Sequence, residues 1–308
     1  MQHSLRAFFR SRVMLIEEVG DHLLEMSGKR FRPALTLLIS RLGGEPRRDP
    51  VAAACVIELI HTATLVHDDT IDKSALRRGM PTINSLYNDL VSTIFGDYIY
   101  TKALVELIDR NDDDLFRVVT RTTYQMSIGE MLQIQQKRCA SLKEAEYLEL
   151  VDAKTASLMA ASCEVGALIA DLSPEQVESL RAFGTDLGRA YQITDDIFDY
   201  VGDTGELGKY GLSDLAEGKV TLPLIRALGA CDGRDRSRVE QILRSPELKG
   251  EDWRFVLELL ASTGALEECR RTALDLAGQA VGRLDGFNPS PYLDGLREAV
   301  EYAVKRSH

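Results

Sequence analysis

The stretch Leu65-Val66-His67-Asp68-Asp69-Thr70-Ile71-Asp72 ends a long apolar segment with three carboxylates. Upstream of it, Val56, Leu59, Ile60 and Ala63 recur at the spacing of one helical face. On a helix, residues four apart lie over one another, so Asp68 and Asp72 project together with Asp69 beside them. Like charges held that closely repel, and they are tolerated where something positive, usually a metal, sits between them. A single cluster of this kind also describes a solvated helix end. A second copy, Asp195-Asp196-Ile197-Phe198-Asp199, closes another apolar run and tips the reading toward metal binding.

The same helical spacing fills the rest of the chain, as in Leu35, Leu38, Ile39 and Leu42, or Leu180, Phe183, Leu187 and Ala190. Alternating β-branched stretches are nearly absent and proline is rare, so the expected fold class is all-α. Asp49-Pro50 supplies an N-cap with proline at the first helical position, and Ser173-Pro174-Glu175 repeats the design. Gly43-Gly44 is expected to close the helix that begins near Pro33. No tandem repeat or low-complexity segment interrupts the chain, which reads as a single domain over residues 1–308. Gly202 to Gly218, rich in Gly and Asp, reads as a long loop, and Arg77 to Pro81 as a second one. Helices near Val239, Val256, Leu274 and Leu296 read as packing scaffold.

A net charge of −11 leaves no excess of Lys and Arg to displace counterions from a nucleic acid, so no such partner is expected. Cys55, Cys139, Cys163, Cys231 and Cys269 are scattered, odd in number and without a CxxC, which fits a reducing cytoplasm. Arg6, Arg10 and Arg12 precede no apolar core with a small-residue cleavage site, and no long uncharged apolar run marks a membrane span.

If the helices that carry them face each other, the two DDxxD clusters offer six carboxylates around one cavity. Magnesium prefers oxygen ligands and typically bridges one or two carboxylates to a substrate's phosphates, so the pattern suits a diphosphate held through Mg²⁺. Lys29, Arg30 and Arg32 in Ser27-Gly28-Lys29-Arg30-Phe31-Arg32-Pro33, and Arg77-Arg78-Gly79, lie in or beside turns where side chains can converge on an anion. Each run alone also fits a solvated face. His61 stands two helical turns before Asp68 on the same face, where a binding role and a satisfied core histidine are about equally supported. His67 lacks that register and reads as structural.

Taken in order, GKRxRP, His-x6-DDxxD-x4-RRG, Lys154-Thr155, Gln192-x2-DDxxD, Gly-Lys and Glu-Gly-Lys-x-Thr-Leu-Pro-Leu resemble the trans-prenyltransferases of the polyprenyl diphosphate synthase family. The likeness runs from about Gly28 to Leu224 and is nearest to medium- and long-chain members. It implies an isoprenoid-synthase helical bundle around a central cavity, normally a homodimer, that condenses isopentenyl diphosphate with an allylic diphosphate. Asp68, Asp69, Asp72, Asp195, Asp196 and Asp199 match catalytic aspartates, of which Asp68, Asp69, Asp72, Asp195 and Asp199 would hold a three-ion Mg²⁺ cluster. Lys29, Arg32, His61 and Arg78 match positions for the isopentenyl diphosphate. Arg77, Lys154, Thr155, Gln192, Lys209 and Lys219 match positions around the allylic substrate, and the Gly202 to Gly218 loop is the expected lid. Ser27 replaces a usual glycine, and Ser92-Thr93-Ile94-Phe95-Gly96-Asp97 is bulkier than the family often shows.

With the diphosphate pinned at Asp68, the growing chain is expected to run down the preceding helix, one turn of about 5.4 Å per isoprene unit. Thr64, Ala63, Ile60 and Ile57 then act as successive floors. Short-chain relatives tend to carry an aromatic where this chain has the small Thr64 and Ala63, so a product longer than C20, in the C30 to C50 range, is expected. The alternatives are a short-chain farnesyl or geranylgeranyl diphosphate synthase and a class I terpene cyclase. A cyclase normally mixes Asn, Ser, Thr and Glu into its second metal motif, where this chain has a second DDxxD. A regulatory subunit without catalysis usually loses aspartates that are all present here.

Overall fold

The computed structural model describes residues 1–26, 28–201, 213–245 and 248–305. Helices α1 (Gln2–Phe8), α2 (Met14–Glu25), α3 (Phe31–Ile39) and α4 (Pro50–Ile71) come first. A hairpin of β1 (Leu76–Arg77) and β2 (Met80–Pro81) leads into α5 (Ile83–Leu86), α6 (Asp89–Asp109) and α7 (Asp113–Gln136). Next, α8 (Glu144–Val151) passes through a π turn (Asp152–Ala156) into α9 (Ser157–Ile169) and α10 (Pro174–Val201). The chain ends in α11 (Ser213–Ala216), α12 (Leu222–Ala230), α13 (Gly233–Arg244), α14 (Gly250–Thr263), α15 (Ala265–Gly282) and α16 (Pro291–Lys305). The fold is all-α, as the periodicity required. Its residues group into two compact units, one of Met1–Thr123, Ala160–Arg181 and Gly286–Leu296, the other of Tyr124–Met159, Ala182–Asp285 and Arg297–His308.

In the first unit α4 is the central element, packed on α3 and α6. Its start is capped as expected: Asp49 accepts from the backbone N–H groups of Val51 and Ala52, with Pro50 where no N–H is needed. Ala52, Ala53, Ala54, Cys55, Val56, Ile57, Leu59 and Ile60 are all buried. By length and apolarity α4 would cross a membrane, but 56% of its apolar window is buried within the protein, as in a core helix. Helix α6 approaches it closely through small residues. A Cβ on Gly96 would lie 2.4 Å from the His67 Nε2, and Ser92 accepts a 2.7 Å hydrogen bond from Thr70. The bulky residues of this stretch do not crowd α4, because Thr93 and Ile94 face outward while Phe95 stacks on Phe9 at 5.9 Å.

Two local expectations need correction. Helix α3 stops at Ile39 rather than at Gly43, and tight turns such as Leu42 N–H to Ile39 C=O carry the chain to Gly44, at φ 101°. Arg77 to Pro81 is a two-residue β-hairpin rather than an open loop, with φ of 53° at Arg78 and 77° at Gly79. Two successive positive φ values are the type I′ geometry that matches strand twist, and glycine at the second position relieves half of its cost.

In the second unit α10 turns Ile193, Ile197 and Tyr200 into a core shared with Tyr147 and Val151 of α8, Leu222 and Leu224 of α12, and Trp253 and Val256 of α14. This stripe, one residue every three or four positions, fixes which way the second aspartate cluster faces.

Candidate active site

In the first unit the end of α4 presents Asp68 and Asp72 half-exposed, while Asp69 is only 5% exposed. One residue further round the helix, Asp69 meets the hairpin. Arg77 places Nε 2.9 Å from both of its carboxylate oxygens and Nη2 2.8 Å from one of them. Burial raises the Asp69 carboxyl above its ordinary range, the Arg77 bond and charge pull it back, and Asp68 and Asp72 push it up again. Arg77 and Asp69, each expected at a ligand, are thus engaged with each other.

The residues expected to bind an anion gather from three elements of the same unit. Arg32 of α3 donates from Nη1 to the His61 Nε2 at 3.2 Å. Because guanidinium only donates, Nε2 of His61 is the unprotonated acceptor and the ring proton sits on Nδ1. Burial, then the charges of Arg32, Arg78 and Arg77, hold His61 well below the usual histidine range. Arg78, at the hairpin turn, donates to the Met26 carbonyl at 3.2 Å and lies flat against Gly28, where a Cβ would fall 2.1 Å from its Nη1. Lys29 stands exposed, and Arg30 begins α3 in the left-handed conformation at φ 51°.

Sequence reasoning missed Glu58. Its carboxyl is raised by burial and held down by Arg32, Arg30 and Arg78 in turn, so it is the internal counter-charge of the basic group. The signal was available: Glu58 is the single acid in α4 before Asp68.

In the second unit Asp195 and Asp199 are half-exposed on α10, whereas Asp196 is 1% exposed. Tyr147 donates to its Oδ2 at 2.6 Å and Gln192 to its Oδ1 at 2.8 Å. The Gln192 carbonyl accepts in turn from Thr155 at 2.8 Å. Burial, and then Asp214, push Asp196 up to about 8 against those donors. Asp214 was not foreseen. It is pushed up to about 6 by burial, Lys219 opposes that shift, and its backbone N–H donates to Asp199 at 3.1 Å.

The π turn sets Lys154 and Thr155 on their partners, and its widened ring is a distortion often found at functional sites. Lys154 bonds Glu130 at 2.9 Å and Gln133 at 3.1 Å, two further residues that the sequence did not single out. Lys219 pairs with Glu217 at 2.6 Å and lies 3.5 Å from Asp214. Lys209, and the expected lid from Gly202 as far as residue 212, lie outside the described residues.

The donor chemistry fits a hard divalent cation. Asp68 and Asp72, like Asp195 and Asp199, are half-exposed carboxylates one turn apart. Among the described residues no group of three or more Asp, Glu, His or Cys forms a ready cage. Magnesium does not need one, since it keeps waters and takes one or two carboxylates together with substrate phosphates. Cationic side chains beside such carboxylates suit a diphosphate ligand.

A helical protein with two aspartate-bearing helix segments and a cluster of arginines around a histidine is of the isoprenoid-synthase class. The family model for polyprenyl synthetases matches residues 13–260, and the chain belongs to that family. An all-trans-nonaprenyl-diphosphate synthase (geranyl-diphosphate specific) of Rhodobacter capsulatus is 35% identical over 96% of this chain and 90% of that protein. A short chain isoprenyl diphosphate synthase of Methanothermobacter thermautotrophicus is 34% identical over 94% of this chain and 90% of its own length. A crystal structure of a polyprenyl synthase from Caulobacter crescentus CB15, complexed with calcium and isoprenyl diphosphate, superposes with a TM-score of 0.92 at 34% identity. That match covers 99% of this chain and 93% of the other.

Proposed function

We propose that this prenyltransferase condenses isopentenyl diphosphate with an allylic diphosphate, in repeated cycles, to an all-trans polyprenyl diphosphate longer than C20 and in the C30 to C50 range. The observation that carries the reading is the half-exposed pair Asp68 and Asp72 at the end of α4, with Arg32, His61 and Arg78 gathered in the same unit. The relatives include both long-chain and short-chain enzymes, so chain length rests on the small Ala63 and Thr64 rather than on overall likeness.

Magnesium, three ions by family analogy, would be taken in the first unit by Asp68 and Asp72 with Asp69, which bonds Arg77, beside them, and in the second by Asp195 and Asp199, with Asp196 bonded to Tyr147 and Gln192. When bound it stabilises the negative charge that grows on the departing diphosphate. The relative that carries calcium with an isoprenyl diphosphate supports a divalent cation. Lys29, Arg32, His61 and Arg78 hold the isopentenyl diphosphate. Arg77, Lys154, Thr155, Gln192, Lys209 and Lys219 serve the allylic substrate. Loss of diphosphate leaves an allylic cation, the isopentenyl double bond attacks it, and the tertiary cation so formed loses a proton from the adjacent carbon to the released diphosphate, the C–H electrons closing the new double bond. Water must be kept out, or the cation is hydrolysed. The neutral His61 is suited to binding by hydrogen bond beside the arginines without adding to their mutual repulsion.

The whole chain acts as one domain, cytoplasmic, where its five cysteines stay free thiols. It works as a homodimer, which the exposed Leu90 and Ile94 near the start of α6 and Val105 and Ile108 near its end support. The test is chromatography of products made by the purified chain from isopentenyl diphosphate, Mg²⁺ and several allylic primers. Products longer than C20 are expected. Hydrocarbon released from farnesyl diphosphate alone would establish a cyclase instead, and a terminal C15 or C20 diphosphate would refute the length.

A further inference from the structure

We propose that Tyr147 is a positioning residue for the second aspartate cluster, acting through Asp196. The inference rests on the reading above and adds to it a residue that no motif contains. Tyr147 is 3% exposed near the start of α8, and its hydroxyl donates to the Asp196 Oδ2 at 2.6 Å across 49 residues of sequence. The other Asp196 oxygen accepts from Gln192, which accepts from Thr155 in the π turn. Both carboxylate oxygens are therefore engaged by protein donors, and Asp196 does not turn toward a ligand without giving them up.

The two contacts work as a pair. Helix α8 leads directly into the π turn, so Tyr147 near its start and Thr155 beyond its end tie one continuous segment to α10 at two points, Asp196 and Gln192. Two points fix both the rotation and the axial position of α10, and with them the outlook of Asp195, next to Asp196, and Asp199, three residues on. Packing alone needs no hydroxyl here. The surroundings of the ring are apolar, with Val151, Ile193, Ile197 and Leu222 in the same core, and a phenylalanine or leucine would fill the space. A buried carboxyl group is costly unless partners meet it, and Tyr147 and Gln192 together meet both oxygens of Asp196.

The test uses the full-length protein with Mn²⁺ and inorganic diphosphate as the probe, its binding midpoint read by calorimetry, alongside kcat and KM for both substrates. Residues that orient metal ligands from behind typically change metal affinity or activity by about 10- to 100-fold when removed. Tyr147→Phe is expected to weaken the Mn²⁺–diphosphate midpoint by about that factor and to lower kcat, with KM for isopentenyl diphosphate within about threefold of wild type. On an Asp196→Asn background the same substitution is expected to change the midpoint by less than about threefold, because a residue acting through Asp196 has nothing further to lose.

An unchanged midpoint in Tyr147→Phe, or an equal shift on both backgrounds, overturns the proposal. A Tyr147→Phe chain that no longer melts cooperatively overturns it as well, since the hydroxyl would then be holding the fold. If the wild-type chain itself makes no product that depends on isopentenyl diphosphate, the functional reading has failed and Tyr147 is not at issue.

Discussion

Thr64→Phe is expected to shorten the product while leaving the first condensation intact. Thr64 lies four residues before Asp68, about 6 Å down the axis of α4 at 1.5 Å per residue, roughly the length of one isoprene unit. It is half-buried, and its hydroxyl donates only to the Ile60 carbonyl of its own helix at 3.1 Å, so phenylalanine there breaks no tertiary hydrogen bond. Ala63 is a poorer site for the same experiment. It is 3% exposed within the packing of the first unit, and a phenylalanine there overpacks a closed core at a cost of about 1–3 kcal/mol. The assay is chromatography of the terminal diphosphates from isopentenyl diphosphate and geranyl diphosphate, with thermal melting of both variants. Thr64→Phe should keep its melting temperature and stop at C20 or below, whereas Ala63→Phe should melt lower whatever its product. An unchanged length distribution from a well-folded Thr64→Phe would show that the chain does not grow along this face of α4.

Arg77→Ala leaves the Asp69 carboxyl buried without its guanidinium. Breaking a buried pair costs about 3–5 kcal/mol, discounted here because Arg77 is 32% exposed, so a loss of about 1–3 kcal/mol in urea unfolding is expected. An unchanged midpoint would mean that water satisfies Asp69 unaided. Gly28→Ala sets a methyl into the Arg78 guanidinium, which must move, so KM for isopentenyl diphosphate should rise by about tenfold with a smaller change for the allylic substrate. Equal effects on both would place Arg78 elsewhere in the reaction. His61 has a folded pKa below its ordinary 6.5, so below that pH the unfolded chain takes up a proton that the folded chain refuses. Its contribution to stability is therefore complete above pH 6.5 and falls away as the pH drops toward the lower folded value. Urea midpoints measured from pH 5 to 7 should decline more steeply on acidification in wild type than in His61→Gln, and parallel curves would contradict the buried neutral state.

The elements that the sequence predicted well are those whose signals are local. Apolar periodicity located α4 and α10, and the Asp49-Pro50 pair capped α4 as its side-chain chemistry required. Turns depend on backbone angles that the letters only suggest, so Arg78-Gly79 read as loop and folded as a type I′ hairpin. Partners distant in the chain were not legible. Arg77 on Asp69 follows from the fold of the hairpin back onto α4, and Tyr147 on Asp196 from the packing of α8 against α10. Glu58 was passed over although it is a lone acid in an apolar helix, because the basic residues that justify it come from α3 and the hairpin.

Each aspartate cluster divides its labour in the same way, and helix geometry says why. In the pattern D-D-x-x-D the first and last residues share a face, while the second is turned by about 100°. When α4 buries its apolar face, that turn carries Asp69 inward to Arg77, and in α10 it carries Asp196 inward to Tyr147 and Gln192. The carboxylates left at the surface are Asp68 with Asp72, and Asp195 with Asp199. The second aspartate of each cluster is bonded to the element behind its helix, and the first and last face outward. Asp69 is fastened by a cation and Asp196 by neutral donors, so substitution of either is expected to lower Mn²⁺–diphosphate affinity through the outlook of the exposed pair, and an unchanged binding midpoint would contradict this.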